Sequence, residues 1–101
     1  MQPQHPPSKP WFVYLLECRN GRLYTGITTD LAARFGKHCS GKGAMFTRIN
    51  PPLRMLAATA CPDRSTASRL EAAIKKLPTA RKRTATDDWS LRTGLPDSRV
   101  P

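Results

Sequence analysis

Two strand-like runs, Trp11 to Cys18 and Arg22 to Thr28, lie only three residues apart, and that spacing constrains the fold more than any other feature. Both are rich in aromatic and β-branched residues, and Arg19-Asn20-Gly21 interrupts them, so the pair predicts a β-hairpin. Its register depends on the loop. If Asn20-Gly21 is a two-residue turn, Arg19 faces Arg22, Tyr14 faces Ile27, and Tyr14 and Tyr24 fall on opposite sheet faces. If all three residues form the loop with Gly21 left-handed, Cys18 pairs with Arg22, Tyr14 lies opposite Gly26, and the two tyrosines share a face. The three-residue loop is expected, with Gly26 leaving room beside the Tyr14 phenol. On spacing alone the tyrosines read equally well as sheet packing.

Beyond the hairpin, Thr28-Thr29-Asp30 offers capping oxygens, and Leu31, Phe35 and Cys39 recur every four residues, which predicts a helix over about 30–39. Ser40-Gly41-Lys42-Gly43 ends it and opens a mobile basic loop through Thr47 and Arg48, where Pro51-Pro52 argues against any regular helix. Leu53 to Cys61 predicts a third strand. Pro62-Asp63-Arg64-Ser65 supplies a turn and cap, and Ala67, Leu70, Ile74 and Leu77 then predict a helix over about 65–77, ending before Pro78. Thr79 to Asp88 reads as a short, weakly specified helix. The expected fold is α+β, a small three-stranded antiparallel sheet in β-β-α-β-α order flanked by helices. One domain over 11–90 is expected between a disordered Pro-rich tail, 1–10, and a flexible tail, 91–101.

Charge points to a polyanionic partner. Seventeen Lys and Arg stand against seven Asp and Glu, a net charge of +10. From Arg34 to Arg83 there are twelve basic residues and two acids, Asp63 and Glu71. Nucleic acid fits that distribution, although a basic solvated surface gives the same composition and charge cannot separate binding from catalysis. Cys18, Cys39 and Cys61 are odd in number and too widely spaced for a Cys-x-x-Cys clip, so neither a disulfide scaffold nor a zinc site is expected. No stretch approaches the ~20 apolar residues of a membrane span. A cytoplasmic, nucleoid-associated protein without a membrane partner is the expectation.

Helical phase narrows the candidates for chemistry. At ~100° per residue, Arg34 and His38 lie about 40° apart and flank the Leu31–Phe35 stripe. Each alone is readable as an ordinary helical residue, His38 hydrogen-bonded in the core and Arg34 covering the surface with its stem. Together they resemble the rim of a site. Glu71 borders the apolar face of its helix, and it reads either as an i,i+4 surface partner of Lys75 or as a carboxylate for a hard cation such as Mg²⁺.

In order along the chain, Val13-Tyr14-Leu15, Tyr24-Thr25-Gly26, Arg34 and His38 on one helix and Glu71 on the next resemble the GIY-YIG nuclease superfamily. The resemblance covers about residues 11–80 and is closest to small stand-alone bacterial proteins and to the catalytic subunit of a eukaryotic structure-specific resolving nuclease. Val13-Tyr14-Leu15 and Tyr24-Thr25-Gly26 replace the name-giving tripeptides, and Met45 stands where the family usually carries a basic residue. The resemblance implies single-metal hydrolysis of a phosphodiester. Tyr14 would be general base, its phenol lowered in pKa by nearby positive charge, and Tyr24 would position the water or a phosphate oxygen. Arg34 would grip the phosphate, His38 would assist proton transfer or orient a tyrosine, and Glu71 would anchor Mg²⁺ or Mn²⁺ on the leaving-group side. Lys42, Arg48 and Lys75 are expected backbone contacts.

The expected activity is therefore metal-dependent DNA endonuclease action in repair or recombination. The chain leaves no room for a separate sequence-reading domain, so DNA structure or backbone is the expected target, flapped or branched DNA included. A non-catalytic nucleic-acid-binding module of the same fold, working with a repair partner, is the alternative. An RNA- or ribosome-binding role ranks below both, because Phe35, Phe46 and Trp89 offer little stacking platform.

Overall fold

A computed structural model describes residues 9–89. The expected tails, 1–10 and 91–101, fall almost wholly outside the described residues. The hairpin forms first in the chain: β1 is Trp11–Cys18 and β2 is Leu23–Thr28. Tyr14 pairs with Gly26 and Leu16 with Tyr24, the register of the three-residue loop. Gly21 takes the left-handed conformation at φ 79°, and its N–H donates to the Cys18 carbonyl at 2.9 Å. The two-residue turn, which would have separated the tyrosines, does not form.

Helix α1 spans Leu31–Cys39 and starts at Asp30, whose carboxylate accepts from the Ala33 N–H. Strand β3, Pro52–Cys61, pairs antiparallel with β1, giving the sheet order β2-β1-β3. A central strand is covered on both sides, which is why β1 is continuously apolar from Trp11 to Leu16 rather than alternating. Helix α3, Arg64–Lys75, is capped by Asp63 through the Thr66 N–H, and α4 follows at Thr79–Ala85.

One segment departs from expectation. Helix α2, Met45–Ile49, occupies the loop where the proline pair argued against a helix. A proline restricts its own position and the residue before it. Asn50 is that residue, and it leaves the helix at φ −119° while its side chain donates to the Phe46 carbonyl. The five residues upstream are free to coil.

The sheet carries a core on each face. On one, Tyr14 and Leu16 pack with Phe35 of α1 and with Met55 and Ala58 of β3. On the other, Val13, Leu15 and Leu23 pack against Ala67 and Ile74 of α3, joined by Trp89. Met55 and Ala58, three apart, reach the same face because the β1–β3 register shifts by one residue between Leu15 and Leu16. No helix of the described residues is long and apolar enough to cross a membrane.

Helix α4 is tied to the sheet by charge. Glu17 accepts from Arg54 at 2.8 Å and from Arg83 at 2.9 Å, and the Arg54 bond most of all holds its carboxyl below the usual range. Because the folded value is depressed, this contribution is present above the unfolded pKa and is lost as pH falls through the folded one. With both arginines about 40 % exposed, Glu17→Gln should remove only about 1 kcal/mol. Faster amide exchange in α4 would show it, and unchanged exchange would argue against the tether.

Candidate active site

The site gathers at the β2 edge of the sheet, with α1 packed on one face and α3 on the other. Tyr14 reaches this edge from the central strand over Gly26. A β-carbon on Gly26 would come well inside 3.0 Å of the Tyr14 hydroxyl, so the phenol occupies the volume that any other residue there would need. Tyr24 lies alongside with ring centroids 6.3 Å apart, and His38 packs edge-on against both rings.

His38 is 1 % exposed, and its partners determine its tautomer. Thr47, on α2, places its hydroxyl 3.0 Å from the Ala44 carbonyl, which can only accept. With its proton committed there, Thr47 Oγ1 must accept from His38 Nδ1, 2.7 Å away. The arrangement in which all three contacts are hydrogen bonds assigns the imidazole hydrogen to Nδ1. Nε2 keeps a lone pair, and the Tyr14 hydroxyl donates to it at 2.8 Å. Gly43 completes the enclosure, since a β-carbon there would collide with His38 Nδ1.

Burial pushes the Tyr14 phenol up to about 12, against the opposing pull of the Arg34 guanidinium beside it. Arg34 alone does not produce the expected lowering in the substrate- and metal-free protein, because desolvation of a phenolate outweighs one half-buried cation; the lowering expected of Arg34 and a bound metal together is a separate matter. Burial, and next the Arg34 charge, hold His38 down to about 4. The shared proton rests on Tyr14, and the pair is neutral.

Arg34 stands one turn before His38 and lines an open depression with Thr28, Asp30, Ala33 and Lys37. From the other face, α3 brings Glu71 close enough for its charge to act on Tyr14. Glu71 also makes the surface pair that its spacing allowed, with Lys75 at 3.3 Å. The Lys75 ammonium lies 5.9 Å from the centre of the Tyr24 ring. All five expected site residues therefore converge, and Lys75 joins them. Lys42 and Arg48 are exposed on the loop and on α2 and make no contact with the five among the described hydrogen bonds and ion pairs.

Among the described residues no three His, Cys, Asp or Glu side chains cluster. A nitrogen- or sulfur-rich site is thus not built here. One carboxylate at the rim, Glu71, fits a hard cation that fills its remaining positions with water and phosphate oxygens. The pair with Lys75 is no obstacle, since an i,i+4 helix pair is worth only about 0.3–0.5 kcal/mol. Sequence reasoning missed Thr47 and Gly43. Neither has a local signal, because their function depends on where α2 folds back onto His38.

Gly26→Ala should destabilise the protein by about 1–3 kcal/mol through overpacking and push the phenol off His38. Thermal unfolding and the His38 ring resonances report both effects. An unaltered melting temperature would contradict the close approach.

With this geometry in view, residues 10–84 match the GIY-YIG catalytic domain. The chain belongs to the GIY-YIG family. Its relatives within that family include UPF0213 proteins. The UPF0213 protein XAC3202 of Xanthomonas axonopodis pv. citri (strain 306) is 60 % identical over 74 residues, 73 % of this chain and 72 % of that one. A UPF0213 protein of Cupriavidus pinatubonensis (strain JMP 134 / LMG 1197) is 50 % identical over 74 residues, covering 73 % of this chain and 82 % of its own. Two solution NMR structures share the fold of this GIY-YIG chain. The protein EF2693 from E. faecalis superposes with a TM-score of 0.57 at 34 % identity, covering 82 % of this chain and 88 % of its own. The UPF0213 protein BH0048 from Bacillus halodurans gives a TM-score of 0.50 at 42 % identity, covering 77 % and 83 %. The GIY-YIG domain suggests nuclease chemistry and implies DNA as the partner.

Proposed function

We propose that this GIY-YIG protein is a metal-dependent DNA endonuclease that reads DNA structure or backbone rather than sequence and serves repair or recombination. The observation that carries the reading is the Tyr14–His38–Thr47 chain, a buried phenol with a defined proton acceptor, set between a guanidinium and a carboxylate. A bond chain with one direction is what a general base needs and what sheet packing does not.

Arg34 and Lys37 hold the phosphate at the mouth of the depression, and Arg34 offers its forked donors as charge builds on the phosphoryl oxygens. Tyr14 is 1 % exposed, so substrate must part the rim at Arg34, Tyr24 or Lys75 before water reaches the phenol. The attacking water then gives a proton to the Tyr14 oxygen as Tyr14 passes its own to His38 Nε2. The resulting imidazolium keeps Nδ1–H on Thr47. Tyr24 orients the water or a phosphate oxygen. Glu71 would hold Mg²⁺ or Mn²⁺, which when bound supplies positive charge opposite the departing 3′-oxygen.

Incubation with labelled duplex, single-stranded and branched DNA, with and without Mg²⁺ or Mn²⁺, tests the reading. Cleavage that needs the cation supports it, and no cleavage of any substrate refutes it. The closed phenol favours one other reading, a DNA-binding module that does not cut. Salt-sensitive binding without cleavage would select that module.

Thr47→Val removes the acceptor that fixes the His38 tautomer and leaves Nδ1–H buried without a partner. Cutting should fall roughly tenfold or more, with Thr47→Ser restoring it. Equal rates for the valine and serine variants would remove Thr47 from the mechanism.

A further inference from the structure

Met45 and Ile49 are the exposed large hydrophobics among the described residues, at 64 % and 70 %. They stand four apart on α2 and share one face. The same helix turns Thr47 inward to His38 and lays Phe46 against Tyr24 at 5.6 Å. An apolar strip thus runs from the candidate active site, through Phe46, to two side chains in open solvent. Neither contributes to either core, so folding does not account for them.

Their surroundings limit what can cover them. No acidic residue lies between Asp30 and Asp63, and Lys42 and Arg48, both exposed, lie within three residues of the pair in sequence. A second copy of the chain would bring cation against cation over a patch far smaller than a stable interface. A polyanion whose apolar groups are accessible satisfies both features. DNA meets that description where its bases are unpaired or pulled apart, and Ile and Met are side chains suited to wedging against an unstacked base. We propose that Met45 and Ile49 form a base-contacting wedge, with Lys42 and Arg48 on the adjoining phosphates, that directs this protein to DNA containing unstacked or unpaired bases next to the bond cut. The inference rests on the DNA-processing reading above and adds what selects the substrate.

Binding in EDTA, so that affinity is read apart from cleavage, decides it. Two oligonucleotides carrying 2-aminopurine are used, a continuous duplex and one with a short unpaired bubble. Wild type should bind the bubble roughly tenfold more tightly, with a change in 2-aminopurine fluorescence, and in Met45→Ser/Ile49→Ser that ratio should fall to about one. Thermal unfolding confirms that the double variant is folded. Arg48→Ala should weaken both complexes alike. A variant that keeps the bubble preference, a wild type that binds duplex and bubble equally, or a protein dimer that the double variant dissolves would overturn the wedge. Binding to neither DNA would overturn both the wedge and the DNA reading, whereas bubble preference in EDTA with no cleavage once Mg²⁺ or Mn²⁺ is added leaves the wedge and removes the nuclease.

Discussion

Tyr14→Phe is expected to slow DNA cutting by roughly 10²–10⁴-fold, the span associated with loss of a general base. The ring keeps its volume over Gly26. What disappears is the proton donated to His38 Nε2, so stability should fall by only about 1–3 kcal/mol. The pH profile separates two ways in which Tyr14 could act. A preformed phenolate at about 12 is present at only ~10⁻⁵ at neutral pH, and its rate would climb about tenfold per pH unit. A neutral Tyr14–His38 pair has no group that titrates between about 4 and about 12, so its contribution is level across that range and falls as acid protonates His38. The level profile is expected. A Phe variant that cuts at wild-type rate would end the assignment, whatever the profile.

Glu71→Ala should be as damaging by a different route. Loss of the cation's charge stabilisation, several kcal/mol, corresponds to a rate decrease of roughly 10³-fold. Folding should be untouched, because the exposed Lys75 pair is worth tenths of a kcal/mol and alanine is a strong helix former. DNA affinity should hold or rise as a negative charge leaves a cationic surface and Lys75 is freed. Calorimetric titration with Mn²⁺ in the presence of uncut DNA should show weakened metal uptake. Cutting in Mg²⁺ within tenfold of wild type would place the metal elsewhere.

The hairpin register was legible because its determinants are local. Gly21 can take a left-handed turn, and Gly26 can stand where a phenol passes. Helical phase likewise brought Arg34, His38 and Glu71 toward the core edge, and Asp30 and Asp63 cap the helices that carry them. The remainder rests on how far a local restraint extends along the chain and on contacts distant in sequence. Pro51-Pro52 restrains only itself and Asn50, so α2, and with it the placement of Thr47, lies beyond its reach. The direction of the Tyr14 pKa followed the charges visible in the sequence, while the depth of burial that overrides them is a property of the packed sheet. Glu17 gave no sign that Arg54 and Arg83, one of them 66 residues away, would converge on it.

Gly26 and Gly43 stand on either side of the Tyr14–His38 pair, each at the spot where one more carbon would strike it. Neither residue can bind a phosphate, move a proton or hold an ion. The alignment of the pair is nonetheless fixed by their emptiness, as a mould fixes a casting. Drift at either position would leave the basic surface and the helices intact while the chemistry slipped out of line. In a mutational scan scored for cleavage, these two silent sites should rank beside the reactive side chains, and in one scored for DNA binding they should pass almost unnoticed.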